Sequence, residues 1–128
     1  MVNTDKKVIG NFGEKQAQKY LQKNKYKVVA TNYGTKFGEI DIVAEKDNYI
    51  VFVEVKTRGD SSRYAPVYAV NKSKQSKLMK TAYLYLKEYP SNKNIRFDII
   101  EIIYSGNKVN SINHIENAFI QRGNYGSF

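Results

Sequence analysis

Between Gly38 and Arg58 apolar and polar residues alternate in two runs, GEIDIVAEK and YIVFVEVKTR, separated by Asp47-Asn48. In the first, Ile40, Ile42 and Ala44 alternate with Glu39, Asp41 and Val43; in the second, Val51, Val53 and Val55 alternate with Phe52, Glu54 and Lys56. A period of two marks strands with two different faces. The interruption predicts a hairpin with Asp47 and Asn48 as its loop residues. Lys46 then pairs with Tyr49, and the register sets Val43 against Phe52, Asp41 against Glu54 and Glu39 against Lys56, all on one face.

Helical spacing flanks this hairpin. From about Asp5 to Asn24, Gly10, Gly13, Ala17, Tyr20 and Leu21 share one side, with Lys15, Lys19 and Lys23 opposite. The small residues on that side predict close approach to a sheet. Tyr26 to Asn32 reads as a first strand and Tyr33 to Phe37 as a polar connection. After the hairpin, Gly59 to Tyr68 holds Gly, Ser, Asp and Pro66 and reads as a loop. A second helix is expected from Asn71, a suitable N-cap, to Tyr89, where Pro90 stops it. Leu78, Met79, Ala82, Tyr85, Leu86 and Tyr89 form its apolar face, and Gln75 falls in line with Met79, Ala82 and Leu86. Arg96 to Tyr104 is apolar on both faces, as in a strand covered on two sides. Val109 to Ile115 reads as a last, edge strand. The order helix, three strands, helix, strand predicts a single α/β domain over residues 1–128, three-layered around a central mixed sheet. Residues 1–4 and about 120–128 are expected to be flexible tails.

Composition narrows the function classes. The chain has 128 residues, 41% of them hydrophobic, enough for a folded core. Lys and Arg number 21 against 12 Asp and Glu, a net charge of +9, so acidic partners are expected, nucleic acid before anionic membrane. The absence of cysteine excludes a disulfide framework and a thiolate metal site. The early lysines are not followed by an apolar targeting segment, and no run approaches the ~20 apolar residues of a membrane span. The expectation is a soluble, cytoplasmic protein. His114 is the only histidine, which excludes a histidine metal cluster and leaves it a structural or surface role. Arg96 and Asp98 are expected to pair at a strand end.

The polar face of the hairpin carries the candidate chemistry. Directly opposed carboxylates with side-chain roots ~5 Å apart repel each other, so Asp41 and Glu54 call for a counterion. Mg²⁺ (or Mn²⁺) is held by one or two carboxylates plus water and phosphate oxygens. Lys56, two residues beyond Glu54, projects from the same face. There it can orient or deprotonate a water, or stabilise charge on a phosphate. Glu39 is the expected ion partner of Lys56; a surface face of mixed charge is the other reading. Glu14 lies at the edge of the first helix's buried stripe, as a boundary residue or as one aimed at a site. Gln75, an inward amide in the first turn of its helix, needs hydrogen bonds and can reach the strand ends. Arg63, Tyr64 and Tyr68 make the 59–68 loop basic and aromatic, suited to contact with a nucleic acid strand.

An Asp on one strand followed by Glu-x-Lys on the next resembles the PD-(D/E)xK nuclease superfamily, which has a restriction-endonuclease-like fold. The surrounding residues are more specific: Gly13-Glu14, Ala17, Tyr20-Leu21, Asn32-Tyr33, Gly38-Glu39-Ile40-Asp41, Phe52 to Arg58, Lys74-Gln75, Arg96-Phe97-Asp98 and Asn117-Ala118-Phe119. Over nearly the whole chain they resemble the YraN-like family of uncharacterised endonucleases. The resemblance implies a core similar to that of Holliday-junction resolvases. It also implies Asp41 and Glu54 as Mg²⁺ ligands with the Val55 carbonyl as a third, Lys56 as the catalytic lysine, Glu14 as an acid near the metal, and Gln75 pointing into the site. One stretch departs from the family pattern. Where Gly-x-Pro-x-Glu-Ala-Val usually stands, this chain has Tyr64, Pro66, Tyr68, Ala69 and Val70, losing the Gly and the Glu. The expectation is a Mg²⁺-dependent endonuclease acting on DNA, including branched or junction structures, with Arg58, Arg63, Lys74, Lys77 and Lys80 tracking phosphates. The alternative is a nucleic-acid-binding module on the same frame without turnover. Symmetric cutting of two strands would call for two sites, hence a homodimer.

Overall fold

The computed structural model describes residues 6–60 and 71–119. Its elements are α1 (Lys6–Lys23), β1 (Lys27–Thr35), β2 (Gly38–Lys46), β3 (Tyr49–Gly59), α2 (Lys72–Glu88), β4 (Asn94–Ser105) and β5 (Lys108–Phe119). The strands form one sheet in the order β1-β2-β3-β4-β5. All neighbours are antiparallel except β3 and β4, which are parallel and joined through α2. This is an α/β architecture with a mixed five-stranded sheet and two helices, consistent with a restriction-endonuclease-like core. No helix among the described residues is long and apolar enough to cross a membrane.

Each helix covers one face of the sheet. Leu78, Met79, Ala82 and Tyr85 of α2 bury Ile40, Val43, Ile50, Phe52, Phe97 and Phe119. Ala17 and Leu21 of α1 bury Ile42, Ala44, Val51, Val53, Ile100 and Ile102. The alternation Ile50/Phe52 against Val51/Val53 is the period-2 pattern of the sequence, read out as two cores. The Asn71 side chain accepts from the Lys74 amide at 2.8 Å, capping α2 as expected. The helix ends with the Tyr89 amide bonded to the Tyr85 carbonyl, just before Pro90.

β1 and β5 run past the ends that the sequence predicts, and β4 covers Asn94–Ser105 where Arg96 to Tyr104 is expected. β1 extends through Tyr33 to Thr35, leaving only Lys36 and Phe37 as the connection to β2. Tyr33 belongs to the strand because its ring meets Tyr85 edge-on at 5.1 Å and its hydroxyl donates to Glu88. β5 extends to Phe119, whose ring stacks on Phe97 at 5.0 Å. The cause of that extension lies in buried Asp98. Its Oδ1 accepts from Arg96 and from the amide of Asn117, and its Oδ2 from Arg96 and, at 2.6 Å, His114 Nε2. His114 Nδ1 is 3.1 Å from the Tyr20 hydroxyl, so the network ties β4 and β5 to α1. Burial pushes the Asp98 carboxyl up, but the His114, Arg96 and Asn117 hydrogen bonds outweigh it and hold the pKa below the usual value. The expected pairing of Arg96 with Asp98 and the structural role of His114 are thus one assembly.

Candidate metal and nucleic-acid site

The site grows from a break in strand pairing. The hairpin register matches the sequence reading from Lys46–Tyr49 through Val43–Phe52, and the ladder's last pair is Ile42–Val53. Asp41 does not sit in a regular pair opposite Glu54. Its Oδ2 instead accepts a hydrogen bond from the Val55 amide at 2.8 Å. Continuation of the register would have given that amide to the main chain of Ile40, so a side chain replaces a strand partner. On one side of Asp41, Ile40 packs under α2; on the other, Ile42 packs under α1. Strict alternation would have put both on one face. Asn32, across from Asp41 on β1, has φ of 52°, the left-handed conformation that Asn tolerates.

This switch of faces redirects Glu39. The sequence predicts a pair with Lys56, but no such ion pair exists among the described residues. Carboxylate oxygens of Glu39, Glu14 and Asp41 all lie within 4.8 Å of one another. Glu14 reaches them because α1 lies very close to β3: a Cβ on Gly13 would stand 1.7 Å from Thr57 Oγ1. Burial raises the Glu14 pKa; a hydrogen bond with Asn32 opposes this and the Glu39 charge adds to it. Asp41 is pushed up to about 7, first by burial, against the Val55 hydrogen bond, and further by the charges of Glu54, Glu14 and Glu39. Three acids therefore crowd one strand break, and the charge of Glu54 on the neighbouring strand acts on Asp41 as well.

Glu54 faces the α2 side, and its side chain is only 11% exposed. Oε1 lies 2.8 Å from Lys74 Nζ and 4.0 Å from Lys56 Nζ. Oε2 is buried and has no hydrogen-bond partner among the described residues. The two lysines are unequal. Burial lowers the Lys56 pKa, as does a hydrogen bond from Lys74, against the Glu54 charge. Burial acts downward on Lys74 as well, but the Glu54 pair and the bond to Lys56 outweigh it and raise the pKa. Lys74 is thus the firmly protonated member, seated on Glu54, where the sequence placed it along a phosphate track.

A cleft of ≈ 510 Å³ opens here, with Glu39, Asp41 and Glu54 on the sheet side and Ser73, Lys74 and Lys77 on the α2 side. Lys77 and Lys80 are exposed, and Lys80 Nζ lies 5.3 Å from the Phe37 ring. Gln75 is half-buried in the same turn of α2 and is not among the residues lining this cleft. Arg58 Nη2 is 2.6 Å from Oε2 of Glu101, a buried residue of β4, close in distance but without the alignment of a hydrogen bond. Glu101 is hidden in a stretch that reads as apolar, so the sequence gives no sign of this restraint on Arg58. Arg63, Tyr64 and Tyr68 lie outside the described residues. Asn32 and Glu39 are the site neighbours that spacing alone misses. The signal available for Asn32 is an Asn inside an otherwise β-forming run.

The donor set suits a hard divalent cation. It consists of carboxylate oxygens: Glu54 Oε2, buried and unpartnered among the described residues, and the carboxylate of Asp41, one oxygen of which accepts from Val55. The Val55 carbonyl leaves β3 on the same edge as its amide, just beyond the last β2–β3 pair.

The chain is an α/β protein with an acid cluster and paired lysines at a break in strand pairing. The chain belongs to the uncharacterised protein family UPF0102, whose model matches residues 13–102. It is 46% identical over 112 residues to a UPF0102 protein of Syntrophomonas wolfei, covering 87% of this chain and 96% of that one. It is 43% identical over 126 residues to a relative from Caldanaerobacter subterraneus, covering 93% and 100%, and 46% identical over 116 residues to one from Clostridium botulinum, covering 88% and 94%. The matched region spans α1 to β4 and so includes every acid of the cluster.

Proposed function

We propose that this chain is a Mg²⁺- or Mn²⁺-dependent endonuclease of the PD-(D/E)xK type that hydrolyses DNA phosphodiesters. The observation that carries this reading is the buried, unpartnered Oε2 of Glu54, with Asp41 on the adjoining strand and Lys56 on its own. Asp41 and Glu54 would hold the cation, with Glu14 and Glu39 beside Asp41 and the Val55 carbonyl available as a further ligand. When bound, the cation would offset the carboxylate repulsion, polarise the phosphate and lower the pKa of a ligated water. Lys56, with its lowered pKa, can accept a proton from an attacking water or orient it. Lys74 keeps its charge and can transfer it from Glu54 to a phosphate oxygen once Glu54 has another partner. Lys77 and Lys80 are exposed for backbone phosphates, whereas Arg58 is engaged by Glu101.

One observation favours a second reading, a nucleic-acid-binding module without turnover: the Lys74 ammonium already supplies a cation to Glu54. Cleavage assays on duplex, flap and four-way DNA in Mg²⁺ or Mn²⁺ separate the two. The nuclease reading expects cutting that is lost in Asp41→Ala and Lys56→Ala. Cutting that survives either substitution, or salt-sensitive binding without cutting in any metal, would overturn it.

A further inference from the structure

Phe37 supplies the aromatic ring among the residues lining the cleft. It is half-buried in the two-residue connection between β1 and β2, where a tight turn is ordinarily polar. The turn is anchored. The Phe37 amide donates to Thr35 Oγ1 at 3.1 Å, and that oxygen lies 3.1 Å from the hydroxyl of Thr81. Thr81 is fully buried in α2 and donates to the Lys77 carbonyl at 2.8 Å. The turn that carries the ring is therefore held at the rim of the cleft. Lys36 and Lys80 each place an ammonium 5.3 Å from its centroid. Lys77 lines the same cleft.

An anchored aromatic ring ringed by lysines offers two things at once. Its face can stack on any base, and the ammonium groups can exchange their contact with the ring for the flanking phosphates. We propose that Phe37 is a stacking platform for an unpaired nucleobase, with Lys36 and Lys80 taking the phosphates on either side. In a closed duplex both faces of each base are already covered by its neighbours, so the platform selects strands with unpaired nucleotides next to the acids. This rests on the reading of the cleft as a nucleic-acid site and narrows its substrate to forks, flaps and branch points over blunt duplex.

The chain contains no tryptophan, so Phe37→Trp places a single tryptophan at the platform, excited selectively over the eleven tyrosines at the red edge of the absorption. Titration in EDTA with a single-stranded oligodeoxynucleotide and with a forked duplex should quench its emission, and titration with a blunt duplex should not. Phe37→Ala should weaken binding of the first two by roughly five- to a hundredfold while leaving the blunt duplex unchanged. Phe37→Tyr should restore binding, which a merely structural ring would not predict for the unpaired substrates alone. Unchanged Trp emission while anisotropy of the labelled strand reports saturation would overturn the platform, as would Phe37→Ala binding all three substrates like wild type. In either case salt-sensitive binding would still uphold the nucleic-acid reading. No binding of any oligonucleotide would remove both.

Discussion

Asp41 accepts the Val55 amide at 2.8 Å in the row where β2 and β3 stop pairing. One side chain thereby performs two tasks. It satisfies a main-chain donor that the ladder abandons, and it fixes a carboxylate beside Glu54 that regular pairing would have opposed directly. The same break turns Glu39 toward Glu14. The like-charged cluster follows from how the strand is bent as well as from which residues it carries.

That cluster makes the metal-free protein sensitive to pH. The folded pKa of Asp41 is raised to about 7 from 3.8, so the native state binds the proton more tightly than the unfolded chain. Its contribution is fully present below the unfolded value and is lost as pH rises to about 7; Glu14, also raised, acts in the same direction. A tenfold difference in proton affinity between the folded and unfolded chain is worth about 1.4 kcal/mol. In EDTA, the denaturation midpoint should fall between about pH 4 and pH 7. Asp41→Asn should flatten most of that slope. Asp98, whose pKa is lowered, loses its contribution only as pH falls below the ordinary carboxylate value, outside this window. Urea denaturation from pH 4 to 8 checks the sign, and a midpoint that rises through this range contradicts it.

Lys74 is expected to compete with a divalent cation for Glu54. Removing it in Lys74→Ala leaves Glu54 with the more distant Lys56. Since the Lys74 side chain is 42% exposed, the loss of metal-free stability should stay near ~1 kcal/mol. Mn²⁺ should bind this variant more tightly than wild type, and DNA more weakly. Calorimetric titrations with each ligand read the two effects separately; Mn²⁺ affinity that falls along with DNA affinity would show that Lys74 supports the cation rather than rivals it.

Gly13 sets how closely α1 approaches the sheet. An added Cβ would meet Thr57 Oγ1 at 1.7 Å, Cβ at 2.9 Å and Cγ2 at 3.0 Å, so no rotation of Thr57 clears it. Gly13→Ala should destabilise by about 1–3 kcal/mol through overpacking, despite the ~1 kcal/mol that alanine gains over glycine within a helix. Thr57→Gly should recover part of the loss in the double variant. Thermal melts of the two single variants and the double one test this. A Gly13→Ala protein more stable than wild type contradicts the close approach.

The sequence reveals the hairpin, its turn and its pairing as far as Val43–Phe52, because a two-residue turn at Asp47-Asn48 fixes the register of the strands it joins. It does not reveal the break at Asp41, which depends on a side chain outcompeting a main-chain acceptor. Glu39 therefore reads as a partner of Lys56, and Asn32 as an ordinary strand end. Glu101 is invisible for a related reason: a single acid in RFDIIEIIY does not disturb the apolar pattern, and its partner Arg58 comes from a parallel neighbour far along the chain. The extension of β5 escapes the pattern because its cause, Asp98 accepting the Asn117 amide, joins residues 19 positions apart. Helix limits are legible, since Asn71 and Pro90 act locally.

The proposed hydrolysis requires a divalent cation between Asp41 and Glu54. Anomalous scattering from crystals soaked in Mn²⁺ tests it most directly. The expected result is a peak within coordination distance of an Asp41 oxygen and of Glu54 Oε2, lost in Glu54→Gln. No peak at saturating Mn²⁺, or a peak away from both carboxylates, would contradict it.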